Sequence, residues 1–149
     1  MVKKYFFMSL ALIAISCADQ EASKTKKTKS VDVADVAVGG KSFLVKEALV
    51  IGKITVIDFW AEWCVPCKRI GHMLQNLAEQ HSNLAVRRVE VPDFDSAVGR
   101  DHLKGVAMLP VVWIYDRNGR LVAKMVGATS KQVKKQVLWY LKIPVKKQT

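Results

Sequence analysis

The chain has 149 residues, half of them hydrophobic and a quarter charged, with a formal net charge of +11. That length holds one compact domain and that mixture builds a core, which excludes disorder over the whole length. The basic residues are spread along the chain and gather near residue 26 and at the extreme C-terminus, so they mark a solvated surface suited to anionic lipid headgroups, and no nucleic-acid partner is expected.

Met1-Val2-Lys3-Lys4 is followed by the apolar run 5–15, the pattern of a secretory signal. The run falls short of the roughly 20 residues a helix needs to cross the hydrocarbon core. Ala14-Ile15-Ser16-Cys17 resembles the bacterial lipobox, in which the cysteine is lipidated and begins the mature chain. Ala14 stands where leucine is more usual, and Ser16-Cys17-Ala18 also fits an ordinary small-x-small cleavage site. Lipidation of Cys17 leaves the two remaining cysteines as a self-contained pair. Residues 18–30 are polar and form a flexible linker, long enough to hold a domain within tens of ångströms of a membrane. The chain therefore divides into a signal with lipobox at 1–17, a linker at 18–30 and a folded domain at 31–149.

Within that domain, residues 31–52 are the least decided, and 42–49 reads equally as a helix or as one arm of a hairpin. Lys53 to Trp60 is a nearly continuous apolar run, as expected for a strand buried on both faces. Ala61 to Trp63 turn the chain, Pro66 occupies the first turn of a helix, and Ile70, Met73, Leu74 and Leu77 mark its apolar face. Leu84 to Val91 is the next strand and Asp95 to Leu103 a short helix, an order that implies parallel pairing with a right-handed crossover. Beyond Pro110, residues 111–116 and 121–126 form a hairpin across Asn118-Gly119. A final helix follows, with Ser130 as its expected N-cap and Val133, Val137, Leu138 and Leu141 at helical spacing. The expected class is α/β, a central mixed sheet flanked by helices.

Chemistry is concentrated at Cys64-Val65-Pro66-Cys67, on the strand-to-helix turn. Thiols at this spacing close a disulfide, and the first faces out where the helix N-terminus stabilises a thiolate, the nucleophile of disulfide exchange. A bare pair also fits half a zinc site or a structural disulfide. No second cysteine pair accompanies it, and His72, His81 and His102 lack the spacing of zinc ligands, so no metal is expected. Asp58 lies on the apolar strand, where burial raises a carboxylate's pKa and prepares it to take up a proton, the plainer alternative being a solvated strand end.

The segment Val56-Ile57-Asp58-Phe59-Trp60-Ala61-Glu62-Trp63-Cys64-Val65-Pro66-Cys67-Lys68 resembles the active-site segment of the thioredoxin family, with Val65 in place of glycine. The resemblance continues through Gly105 to Pro110, similar to the family's cis-proline loop, and through Asn118-Gly119 to Gly127, covering about residues 50–142. It implies the thioredoxin fold and a thiol–disulfide oxidoreductase. In it Cys64 attacks a substrate disulfide, Cys67 resolves the mixed disulfide and Asp58 handles the proton. It also implies that Trp63 faces substrate, with Trp60 either core or wall. Pro110 would be the cis-proline opposite the cysteines, leaving backbone groups of Leu109 to pair with an extended substrate. No cofactor beyond the redox-active cysteine pair is implied. Gly127 would permit close backbone approach near the proline loop.

His72 stands where thioredoxins usually carry a proline, so a straighter helix is expected, with His72 on its surface. Arg88 falls where many thioredoxins have a lysine near the buried aspartate, and either tunes Asp58 or points to solvent. Taken with the signal, the resemblance suggests a monomeric, lipid-anchored reductant on the periplasmic side of the cell envelope. Its expected partners are disulfide-containing exported proteins and a membrane electron donor. Two alternatives remain at this stage. One is a reductant of apocytochrome c, which Cys-Val-Pro-Cys also resembles, although the insertion common in that group is missing here. The other is a non-catalytic binding or copper-handling module using both thiols as soft ligands.

Overall fold

The computed structural model describes residues 31–143; the expected signal, Cys17 and the linker lie outside the described residues, as does 144–149. The elements in chain order are β1 (Val33–Ala37), α1 (Val45–Ala48), β2 (Ile54–Trp60), α2 (Val65–Gln80), β3 (Leu84–Glu90), α3 (Ala97–His102), β4 (Val111–Tyr115), β5 (Leu121–Val126) and α4 (Ser130–Lys142). They form one five-stranded sheet of order β1-β3-β2-β4-β5. β3 runs parallel to β1 and β2, β4 is antiparallel to β2, and β5 is antiparallel to β4.

β2 lies at the centre because nearly every residue in it is apolar on both faces. Ile54 and Val56 pack with Ile70, Leu74 and Leu77 of α2 and with Val133 and Val137 of α4. Ile57 and Phe59 point the other way, into a cluster with Ala48 of α1, Val98 of α3, Val111 and Trp113. The period-two alternation of a strand thus splits one apolar run between two cores, and full burial of a side chain such as Phe59 contributes about 1.5–3 kcal/mol.

The undecided N-terminal segment resolves into an edge strand, β1, and the single helical turn α1. Its choice between helix and hairpin arm falls to the helix. α2 runs uninterrupted for 16 residues, and His72 is exposed on its surface as expected. One expectation needs correction: the N-cap of α4 is Thr129, not Ser130. The Thr129 hydroxyl accepts from the Gln132 N–H at 3.3 Å, and the Gln132 side chain accepts from the Thr129 N–H at 2.8 Å, a capping box that Ser130 could not complete because Val133, three residues on, has no polar side chain.

The far end of α4 is closed from the hairpin. The half-buried Arg117 guanidinium donates to the carbonyls of Leu141 at 3.0 Å and Ile143 at 2.8 Å, placing a cation against the negative end of the helix dipole. Arg117→Ala is therefore expected to destabilise the fold by about 1–3 kcal/mol, read as a shifted denaturant midpoint with an unchanged slope. A midpoint left in place would show those contacts to be ornamental.

Candidate active site

β2 ends at Trp60, and Ala61 to Trp63 turn the chain so that Cys64 becomes the N-cap of α2, with Pro66 in the first turn where no N–H is needed. The Cys64 sulfur occupies the place of a capping oxygen and accepts from the Cys67 N–H at 3.3 Å. No acidic residue stands in that first turn to oppose negative charge on the sulfur. Once reduced, Cys64 has a backbone donor and a helix N-terminus that favour its thiolate. The two sulfurs are bonded in this structure, at 2.00 Å with a Cα–Cα distance of 5.3 Å, which is the oxidised state of the pair.

The surroundings are mostly apolar. Cys64 and Cys67 pack with Ala61, Trp60 and Leu109. The Leu109–Pro110 peptide is cis, and the loop it forms brings Leu109 against the cysteines. Trp63 is 59% exposed with its indole N–H fixed on the Pro92 carbonyl at 2.8 Å, while Val65 and Met108 add further exposed apolar surface. Met108 was not singled out for this rim from the sequence. The signal for it is its position two residues before Pro110. Gly127 N–H donates to the Pro110 carbonyl at 2.8 Å, and its φ of 63° together with a Cβ that would stand 2.9 Å from the Met108 sulfur requires glycine there.

Asp58 is wholly buried, and neither carboxylate oxygen has a hydrogen-bond partner. It points beneath α2: a Cβ on Gly71, one turn beyond Cys67, would stand 3.8 Å from Asp58 Oδ2. Gly71 also lines a crevice of about 200 Å³ with Asp35, Lys68, His72 and Arg88. Burial pushes the Asp58 carboxyl up to about 7, while the Arg88 guanidinium pulls the other way.

The sheet register explains Arg88. It pairs across β3 with Asp58 on one side and Asp35 on the other, so all three project from the same face. Its guanidinium lies 3.6 Å from Asp35 and 4.4 Å from the centre of the Trp60 ring, a cation–π contact that anchors the half-buried indole. Of the two readings of Arg88, the one that tunes Asp58 prevails. Arg88→Met, which keeps the stem and removes the charge, is expected to raise the Asp58 pKa further, seen as an upward shift of its carboxyl titration. An unmoved titration would mean that solvent screens the pair.

A nucleophile at a helix N-terminus, a second thiol inside the same helix and a protonatable carboxylate beneath that helix at Gly71 define a thiol–disulfide oxidoreductase. The thioredoxin family model matches residues 41–138, and the chain belongs to that family. It is 36% identical over 104 residues to a thioredoxin of Mycolicibacterium smegmatis, covering 68% of this chain and 89% of that one. It is 28% identical over 123 residues to a TPR repeat-containing thioredoxin of Oryza sativa subsp. japonica, covering 80% of this chain but only 37% of the length of that protein. Its fold is that of spinach chloroplast thioredoxin f in the long form, with a TM-score of 0.56, 21% identity, and 78% and 93% of the two chains covered.

Proposed function

We propose that the protein reduces disulfides in exported proteins from the periplasmic side of the cell envelope, held by a lipid on Cys17 and recharged by a membrane electron donor. The observation that carries the reading is the positional asymmetry of the pair: both cysteines are largely covered, but Cys64 caps the N-terminus of α2, whereas Cys67 lies inside the helix, one turn before the Gly71 that covers Asp58. The signal and lipobox pattern of residues 1–17 supports the location.

In the forward direction the Cys64 thiolate attacks one sulfur of the substrate disulfide, forming a mixed disulfide and releasing the other substrate sulfur as a thiolate. Asp58, in its charged form, takes the proton from Cys67. The Cys67 thiolate then attacks the Cys64 sulfur, which releases the second substrate thiolate and leaves the Cys64–Cys67 disulfide. Two electrons have moved from the pair to the substrate, and a donor dithiol must return them. Trp63, Val65 and Met108 offer an apolar seat for the chain flanking the substrate disulfide, with the backbone of Leu109 beside Pro110 pairing with it.

The test is the state of the pair in intact cells, trapped by acid and thiol alkylation, together with lipid labelling of the full chain. The reading expects Cys64 and Cys67 to be held mainly reduced, and the label to be lost in Cys17→Ser. A pair held oxidised would make the protein an oxidant, and a label absent from the parent chain would remove the tether.

A further inference from the structure

The pole opposite the disulfide has properties that redox chemistry does not use. β1, β2 and β3 run parallel, so the chain enters the fold at Val33 at the pole where β2 begins, and Cys64 stands beyond the other end of β2. The 116–120 hairpin turn lies at the entry pole, where the Gly52 N–H donates to the Arg117 carbonyl at 2.8 Å. α4 starts near Pro110 and finishes at this same pole, where Arg117 holds the carbonyl of Ile143. Trp139 is ten residues past the cap Thr129, about 15 Å along the helix from the active-site end.

Large apolar side chains stand exposed here: Ile51 is 72% exposed and Trp139 63%, with Leu121 and Ile143 at 42% each. Lys135 and Lys142 line one groove with Trp139. After Asp116 the sequence has nine lysines and arginines and no aspartate or glutamate. Two of the carboxylates at this end are ion-paired, Asp32 with Lys53 and Arg87 and Asp116 with Arg120, while Glu79 at the end of α2 meets only the neutral Gln75 amide and keeps its charge. An indole among lysines, on a surface of net positive charge, matches the headgroup region of an anionic bilayer, where an amphipathic ring and basic side chains are both favoured.

We propose that this pole, centred on Trp139 with Lys135 and Lys142, rests on an anionic lipid surface. The inference deepens the envelope reading and rests on it. Residues 1–30, with the expected lipid site at Cys17, join the fold at this pole, so the tether and the patch face the same membrane. Docked in this way, the protein presents Cys64 and its apolar rim away from the bilayer, toward soluble partners. The patch gives the domain an orientation on the membrane.

The experiment uses the full chain on vesicles of phosphatidylglycerol and phosphatidylcholine with brominated acyl chains, reading tryptophan fluorescence. The apolar run 5–15 contains no tryptophan, so its insertion does not contribute to the signal. Quenching is expected on anionic vesicles and not on phosphatidylcholine alone. Trp139→Phe should remove most of it, and the Lys135→Glu/Lys142→Glu variant should bind vesicles about tenfold more weakly, or worse, with disulfide reduction intact. Failure of the chain to float with anionic vesicles overturns the proposal. So does flotation with Trp139 unquenched, which would mean that the N-terminal segment alone holds the chain and would leave the envelope reading standing. Quenching as expected in a chain that cells do not export would overturn that reading instead and confine the patch to lipid binding in vitro.

Discussion

Cys64→Ser is expected to lower disulfide reduction by about a thousandfold or more, because the serine hydroxyl has no accessible anionic form at neutral pH and the only other thiol among the described residues, Cys67, is buried inside α2. Cys67→Ser is expected to fail differently. Cys64 keeps its position as the helix cap and still attacks, but nothing resolves the product, so a covalent complex accumulates with one equivalent of substrate. Mass spectrometry after mixing each variant with a disulfide-bonded protein separates the two, since only the Cys67 variant should carry the adduct, and on Cys64. Adducts in both variants, or on Cys67 in the Cys64 variant, would contradict the assigned order of attack.

The second large effect concerns Asp58, whose replacement is expected to stabilise the protein while slowing it. Its folded pKa of about 7 lies well above the ordinary carboxylate value of 3.8. Between those two values the folded state holds a proton that the unfolded state has released, so stability falls as pH rises from about 4 through 7 and is flat above. The difference corresponds to a destabilisation on the order of a few kcal/mol at pH 8 that is absent at pH 3. Asp58→Asn keeps the size and stays neutral. Its unfolding midpoint should exceed the parent's at pH 8 and converge with it toward pH 3, while resolution of the mixed disulfide slows by about tenfold or more for want of a proton acceptor. Equal midpoints at pH 8 would show that Asp58 is solvated in a way its burial does not suggest.

The cysteine pair and Asp58 also mark how far the sequence could be read. Ile54–Trp60 was legible because an apolar run of that length, ending in a turn with two cysteines, has few ways to fold. Pro66 then dictated where the helix begins. β1 and α1 were not legible for physical reasons: an edge strand exposed at Ala34 and Asp35 shows little periodicity, and a single helical turn is shorter than the pattern that would reveal it. The cap of α4 was readable in Thr129-Ser130-Lys131-Gln132, since only Thr129 has a glutamine three residues on.

At the site, burial of Asp58 followed from its strand, but its lack of a hydrogen-bond partner did not, because that depends on what lies across the register. The same register turned Arg88 from an open alternative into a neighbour of Asp58, Asp35 and Trp60. No local pattern encodes which residue of β3 faces which residue of β2. Gly71 was missed for a similar reason: its role comes from the carboxylate beneath it, which belongs to another element.

The measurement that bears most directly on the account is the equilibrium reduction potential of the Cys64–Cys67 couple in the full chain, titrated in dithiol/disulfide buffers and read by thiol alkylation. A reductant of exported proteins should fall near the roughly −270 mV of thioredoxin. A value near roughly −120 to −180 mV, the range of oxidising and isomerising relatives, would contradict the reductive reading and reverse the direction of electron flow.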